Sequence, residues 1–183
     1  MGKTVLVPIA QGCEEMEAVI IIDMLRRAGV EVIVGGENDI STCSRGLKIV
    51  SDLLIDDIDE SQVFDAIVIP GGSVGVNNLS KNQHFEDLLK IHSKRNGVIA
   101  AICAAPTLLA EKKIIPLNSN ITSHPSFKNQ FQQFIYVNEK VVFDNNLITS
   151  RGAGTAFEFS LSLIELLVNK ETAEKIANDI VLY

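Results

Sequence analysis

The chain has 183 residues, 46% of them hydrophobic and 21% charged, with a formal net charge of -7. Such a composition is that of an ordinary globular protein, and the length suits one domain over residues 1–183 that buries about two thirds of the surface its unfolded form exposes. The negative charge argues against direct nucleic-acid binding and against an anionic membrane as partner, no apolar run is long enough to span a bilayer, and Thr4–Ala10 is too short for a signal peptide, so a cytoplasmic protein is expected.

Thr4–Ile9 reads as a first strand, and Gln11-Gly12-Cys13-Glu14-Glu15 opens a helix that runs to about Ala28 and stops at Gly29. Met16, Val19, Ile20, Ile21, Ile22, Met24 and Leu25 cover more than one face of that helix, so something beyond the chain's own core is expected to cover the second. Val30–Val34 is a buried strand. Ile40–Thr42 and Leu47–Val50, interrupted by Ser44-Arg45-Gly46, predict an antiparallel hairpin at the edge of the sheet. Phe64–Ile69 is a third apolar strand that runs into Pro70-Gly71-Gly72-Ser73, where adjacent glycines let backbone come close to a neighbour. No Lys-Ser/Thr follows, which argues against a phosphate loop. Phe85–Lys94 is an amphipathic helix, with His84 and His92 read as solvated.

Val98–Ile102 predicts a short buried strand, and Ala104, Ala105 and Pro106 lead without a loop into a helix through Glu111. Cys103 therefore sits on the bend, at the carboxyl end of a strand and the positive end of a helix, the geometry of a nucleophile elbow and a setting that favours thiolate. A buried structural cysteine is the alternative. Ile121–Ser123 is one more short strand before His124-Pro125, and Val141–Phe143 with Leu147–Thr149 form a hairpin around Asp144-Asn145-Asn146. Ser150–Gly154 then leads to helices over Thr155–Val168 and from about Lys170.

Strands separated by helices predict an α/β, doubly wound, mostly parallel sheet with helices on both faces and a small edge hairpin. In such a sheet ligands bind at the carboxyl ends of the strands, where Glu14–Glu17, Pro70–Ser73, Cys103, His124 and Arg151 would converge. The three cysteines, at 13, 43 and 103, lack the close Cys or His spacing of a zinc site, so neither a metal nor a cofactor is expected.

Gly-Cys-Glu-Glu-Met-Glu at 12–17, Pro-Gly-Gly at 70–72, Ala-Ala-Ile-Cys-Ala-Ala-Pro at 100–106, Ser-His-Pro at 123–125 and Thr-Ser-Arg-Gly-Ala-Gly-Thr-Ala-Phe-Glu-Phe at 149–159 together resemble the ThiJ/PfpI superfamily. Within it the sequence is most similar to the branch of the Parkinsonism-associated deglycase and bacterial YajL. The resemblance implies a flavodoxin-like fold, a homodimer built partly on the first helix, Cys103 as nucleophile, Glu17 as the acid beside it, His124 as the nearby imidazole, and the N–H groups of Gly72 and Ala104 as an oxyanion site. It further implies a cofactor-independent glyoxalase or deglycase that acts on a small carbonyl substrate or on glycated adducts, in carbonyl and oxidative stress. Ala105 and Ala153 depart from the glycine and proline usual in relatives. A redox-sensing holdase chaperone would use the same cysteine. A peptidase or amidotransferase is disfavoured, because Ala104 and Ser126 stand where those enzymes carry histidine and glutamate.

Overall fold

The structure is a computed structural model and describes residues 2–182. Its strands are β1 (Thr4–Ile9), β2 (Glu31–Gly36), β3 (Ile40–Thr42), β4 (Lys48–Val50), β5 (Leu53–Leu54), β6 (Ala66–Ile69), β7 (Val98–Ile102), β8 (Asn120–Ile121), β9 (Ile135–Tyr136), β10 (Val141–Asp144) and β11 (Leu147–Ser150). The α-helices are α1 (Glu15–Arg27), α2 (Ser73–Leu79), α3 (Gln83–Lys94), α4 (Ala105–Glu111), α5 (Ala156–Leu167) and α6 (Lys170–Asp179). The main sheet has the order β10-β11-β7-β6-β1-β2-β5, parallel throughout except for the β10–β11 hairpin.

Because helices cover both faces, the central strands are apolar on both, and alternate residues feed two separate cores. Val5, Val7, Ile9, Val68 and Ile102 pack towards α1, α5 and α6, with Ile21, Leu25, Phe159 and Ile176. Leu6, Ile67, Ile69 and Ile99 face α2, α3 and α4 and meet Val76, Phe85, Leu89 and Leu108. Leu6, Ile67 and Ile69 are fully buried, and each such side chain contributes about 1.5–3 kcal/mol. α1 carries Glu15 and Glu17 in its first turn and Arg26 and Arg27 in its last, both signs complementing the helix dipole, and Gly29 at φ 76° ends it.

Five features differ from the sequence expectation. The hairpin of β3 and β4 is antiparallel, with Ser41 opposite Ile49, but it forms its own two-stranded sheet instead of the sheet edge. The edge is β5, which runs parallel to β2 because Asp52 accepts the Val34 N–H at 2.8 Å and draws the chain back. The strand expected at Ile121–Ser123 is β8, paired with β9 outside the main sheet, while the Thr122 N–H donates to Thr149 Oγ1 at 2.9 Å. α2 was not foreseen. His92 is buried, not solvated: it follows Phe85, Leu88 and Leu89 at helical spacing, its Nε2 lies 2.9 Å from the Val98 carbonyl, and its ring occupies the space a side chain at Gly97 would need.

Among the described residues no helix is long and apolar enough to cross a membrane.

Candidate active site

At the carboxyl ends of β1, β6 and β7 lies a cleft of about 610 Å³ whose walls include Glu17, Gly72, Cys103, His124, Ser126 and Phe127. Cys103 joins β7 to α4 with φ 65°, a left-handed backbone that costs a non-glycine residue about 1–2 kcal/mol. Backbone on both sides holds it there: its N–H donates to the Ser150 carbonyl at 3.0 Å, and its own carbonyl accepts the His124 N–H at 2.9 Å. The thiol is thereby lifted off the sheet edge, partly exposed to the cleft.

Glu17 reaches the thiol from the first turn of α1 and is itself fully buried. Its Oε2 accepts the Gly71 N–H at 2.7 Å, while Oε1 takes no hydrogen bond of ordinary geometry. Burial pushes this carboxyl up to about 7, although the Gly71 N–H and the Cys103 thiol pull it down. Burial likewise pushes the Cys103 thiol up to about 12, reinforced by the charge and the hydrogen bond of Glu17, with the N–H groups of Gly72 and Ala104 acting the other way. Burial and the Glu17 charge thus work against the thiolate that the strand-to-helix bend favours. The helix behind it, α4, has only seven residues, and its N–H groups are outweighed by lost solvation and by a carboxylate neighbour. Glu17 moves in the expected direction, up.

Glycines make this contact possible. A β-carbon on Gly71 would lie 2.6 Å from both Cys103 Cβ and Glu17 Oε2, and one on Gly72, at φ 88°, would lie 2.5 Å from the Gly12 carbonyl. One on Gly75, in α2, would meet the Cys13 backbone at 2.7 Å, so α2 and the entry to α1 touch main chain to main chain.

His124 stands at the mouth, exposed, capping the 3-10 turn Pro125–Gln130. The Ser126 N–H donates to its Nδ1 at 3.3 Å, Ser126 Oγ lies 2.7 Å from the same atom, and the Phe127 ring meets it edge-on at 6.2 Å. A β-carbon on Gly152 would be 3.6 Å from His124 Cδ2 and 4.0 Å from both Cys103 Sγ and Glu17 Oε1, which places the three side chains around one point. The N–H groups of Gly72 and Ala104 lie close enough to the sulfur to favour its anion.

Of the remaining expected segments, Glu14 and Ser73 line the cleft, whereas Arg151 does not: its guanidinium donates to Asn138 Oδ1 at 2.5 Å, and Ala153 takes the wall position. Arg45 and Ser44 were not foreseen there. They sit on a loop pinned to α1, where the Arg45 N–H donates to Glu15 Oε1 at 2.7 Å and Ser44 Oγ to Glu15 Oε2 at 2.7 Å. Among the described residues no group of three or more His, Cys, Asp or Glu side chains is placed to hold a metal ion.

A cysteine on a strand-to-helix elbow, backed by a buried carboxyl at the carboxyl edge of a parallel sheet, defines an α/β protein of the flavodoxin-like type. The chain belongs to the DJ-1/PfpI family, whose model matches residues 3–166. It is 45% identical to DJ-1beta of Drosophila melanogaster over 97% of this chain and 96% of that protein, and the crystal structure of DJ-1beta superposes with a TM-score of 0.95 at 43% identity, covering 99% and 98% of the two chains. It is 39% identical to the Parkinson disease protein 7 homolog of Danio rerio over 99% of this chain and 98% of that one. A Caenorhabditis elegans protein named glutathione-independent glyoxalase is 35% identical over 88% of this chain and 86% of its own.

Proposed function

We propose that the protein converts small 2-oxoaldehydes, and the adducts they form with amines and thiols, to 2-hydroxy acids without a cofactor, using Cys103 as nucleophile. The observation that carries this reading is the meeting of the Cys103 thiol with the Glu17 carboxyl and with the N–H groups of Gly72 and Ala104. The name of the C. elegans relative supports it.

With its carboxyl near 7, Glu17 is substantially ionised at neutral pH and accepts the thiol proton as sulfur bonds to the aldehyde carbon, so that no free thiolate has to form. The carbonyl electron pair moves to oxygen, which the N–H groups of Gly72 and Ala104 stabilise until the proton returns to it as a hemithioacetal. Glu17, again a carboxylate, then removes the hydrogen on that carbon as a proton. The hemithioacetal's hydroxyl proton passes to the neighbouring ketone oxygen through the resulting enediol, and Glu17 returns its proton to the neighbouring carbon, so that the ketone becomes an alcohol and a thioester carbonyl is left on sulfur; water cleaves the thioester to the 2-hydroxy acid and regenerates the thiol. His124, at the mouth, hydrogen-bonds the substrate's second oxygen. Its Nδ1 partner is a hydroxyl and not a carboxylate, which supports carbonyl chemistry over a peptidase or amidotransferase triad.

The reading includes a homodimer. Met16 and Val19 on α1 are 56% and 44% exposed, and Val50 of β4 is 69% exposed, so part of the second apolar face of α1 is left open by the described residues.

The deciding experiment is lactate formation from methylglyoxal by purified protein. Turnover that survives EDTA and is lost in Cys103→Ala is the expected result; loss with EDTA, or retention in the variant, would overturn the mechanism.

A further inference from the structure

We propose that Ser126 is the positioning residue of the site: it fixes His124 as the tautomer with its proton on Nε2, so that the ring presents a neutral N–H donor to the cleft. This rests on the carbonyl reading for its catalytic consequence and on geometry alone for the tautomer.

His124 is the N-cap of a 3-10 turn, a position normally taken by a short side chain whose oxygen accepts a backbone N–H. Here imidazole Nδ1 does that work, accepting the Ser126 N–H at 3.3 Å. A backbone N–H is only ever a donor, so a proton on Nδ1 would face another proton. Nδ1 is therefore the lone-pair nitrogen, the Ser126 hydroxyl at 2.7 Å is the donor of the stronger bond, and the ring proton lies on Nε2. Pro125 fixes φ at the first position of the turn, the Phe127 ring packs edge-on at 6.2 Å, and the His124 N–H is tied to the Cys103 carbonyl at 2.9 Å. The main chain is thus fixed on both sides of the residue, the ring itself is held through Nδ1 and against Phe127, and among the described residues none bonds Nε2. A carboxylate at residue 126 would outweigh the long 3.3 Å backbone bond and do the reverse, accepting from Nδ1 and leaving Nε2 a lone-pair base, as in triad enzymes. Serine selects a donor for a substrate oxygen, which is what addition to a dicarbonyl needs.

The test is a long-range proton–nitrogen correlation spectrum of the neutral His124 ring in nitrogen-15-labelled full-length protein, assigned with His124→Gln. Wild type and Ser126→Thr should show a protonated Nε2 and a bare Nδ1, and Ser126→Asp should move the proton to Nδ1. With methylglyoxal as substrate, Ser126→Ala should lower kcat by about fivefold to tenfold, the size of one hydrogen bond, with KM little changed, and Ser126→Thr should restore it. A protonated Nδ1 in wild type, a Ser126→Ala protein with unshifted ring nitrogens and unchanged kcat, or failure of threonine to restore turnover would each overturn the proposal. Expected spectra in a wild-type protein with no turnover would support the tautomer assignment and overturn the carbonyl reading instead.

Discussion

The Gly71 N–H donates to Glu17 Oε2 at 2.7 Å, and a methyl group added to Gly71 would stand 2.6 Å from that same oxygen and from Cys103 Cβ. One residue therefore both anchors the acid and leaves the space through which acid and thiol meet. Gly71→Ala has to push them apart. It should cost about 1–3 kcal/mol of stability, the usual size of an overpacking defect, and lower methylglyoxal turnover more than it lowers the melting temperature would suggest. Urea denaturation and kinetics on the same sample check this, and an alanine variant with wild-type activity would show that the contact is not needed.

Glu17 gives the protein a pH-dependent stability of unusual sign. A carboxyl raised from 4.5 to about 7 binds its proton more tightly in the folded state, so its contribution is fully present below the unfolded value and is lost as pH rises through 7. At one pKa unit per 1.4 kcal/mol, the loss approaches about 3 kcal/mol above pH 8. Glu17→Gln removes the titration, and its denaturation midpoint should change less between pH 5 and pH 8 than that of wild type. Parallel curves for the two proteins would contradict the raised value.

The left-handed backbone of Cys103 is measurable separately from its chemistry. Cys103→Ala and Cys103→Gly both delete the thiol, yet only glycine adopts φ 65° without strain, so the glycine variant should be the more stable of the two by about 1 kcal/mol. Equal melting temperatures would mean the elbow carries no strain.

For the homodimer, Met16→Glu places a charge on the exposed apolar face of α1 and should shift the mass in solution from two chains to one. Wild-type protein that sediments as a single chain at micromolar concentration would remove the basis for this expectation.

The sequence carried the central strands and the elbow because both are written in local pattern: continuous apolar runs for strands covered on both faces, and a strand that passes into a helix at Cys103 with no intervening loop. α2 escaped because Gly75, Asn77 and Asn78 make Ser73–Leu79 a poor helix by propensity, and packing of Val76 and Leu79 is what secures it. His92 could have been read as buried from its spacing to Leu88 and Leu89. The state of the Cys103 thiol could not, since it depends on a carboxylate 86 positions away in sequence and on how deeply both are buried. Ser126 was visible only as a missing glutamate; its hydrogen bond to His124 needs the turn geometry.

Where the backbone of α2 and the entry to α1 interlock, at Gly12, Gly72 and Gly75, hypothetical β-carbons meet Val74 at 2.6 Å, the Gly12 carbonyl at 2.5 Å and Cys13 backbone at 2.7 Å. These three glycines leave that wall of the cleft less room for larger side chains than its opposite rim has. A substitution at any of these glycines has to shift a neighbour before it can reshape the cleft, so each starts from a loss of stability. Ser44, Arg45, Ser126 and Phe127, which line the cleft from loops and a turn, are the positions at which substrate range can be redrawn while the scaffold stays intact.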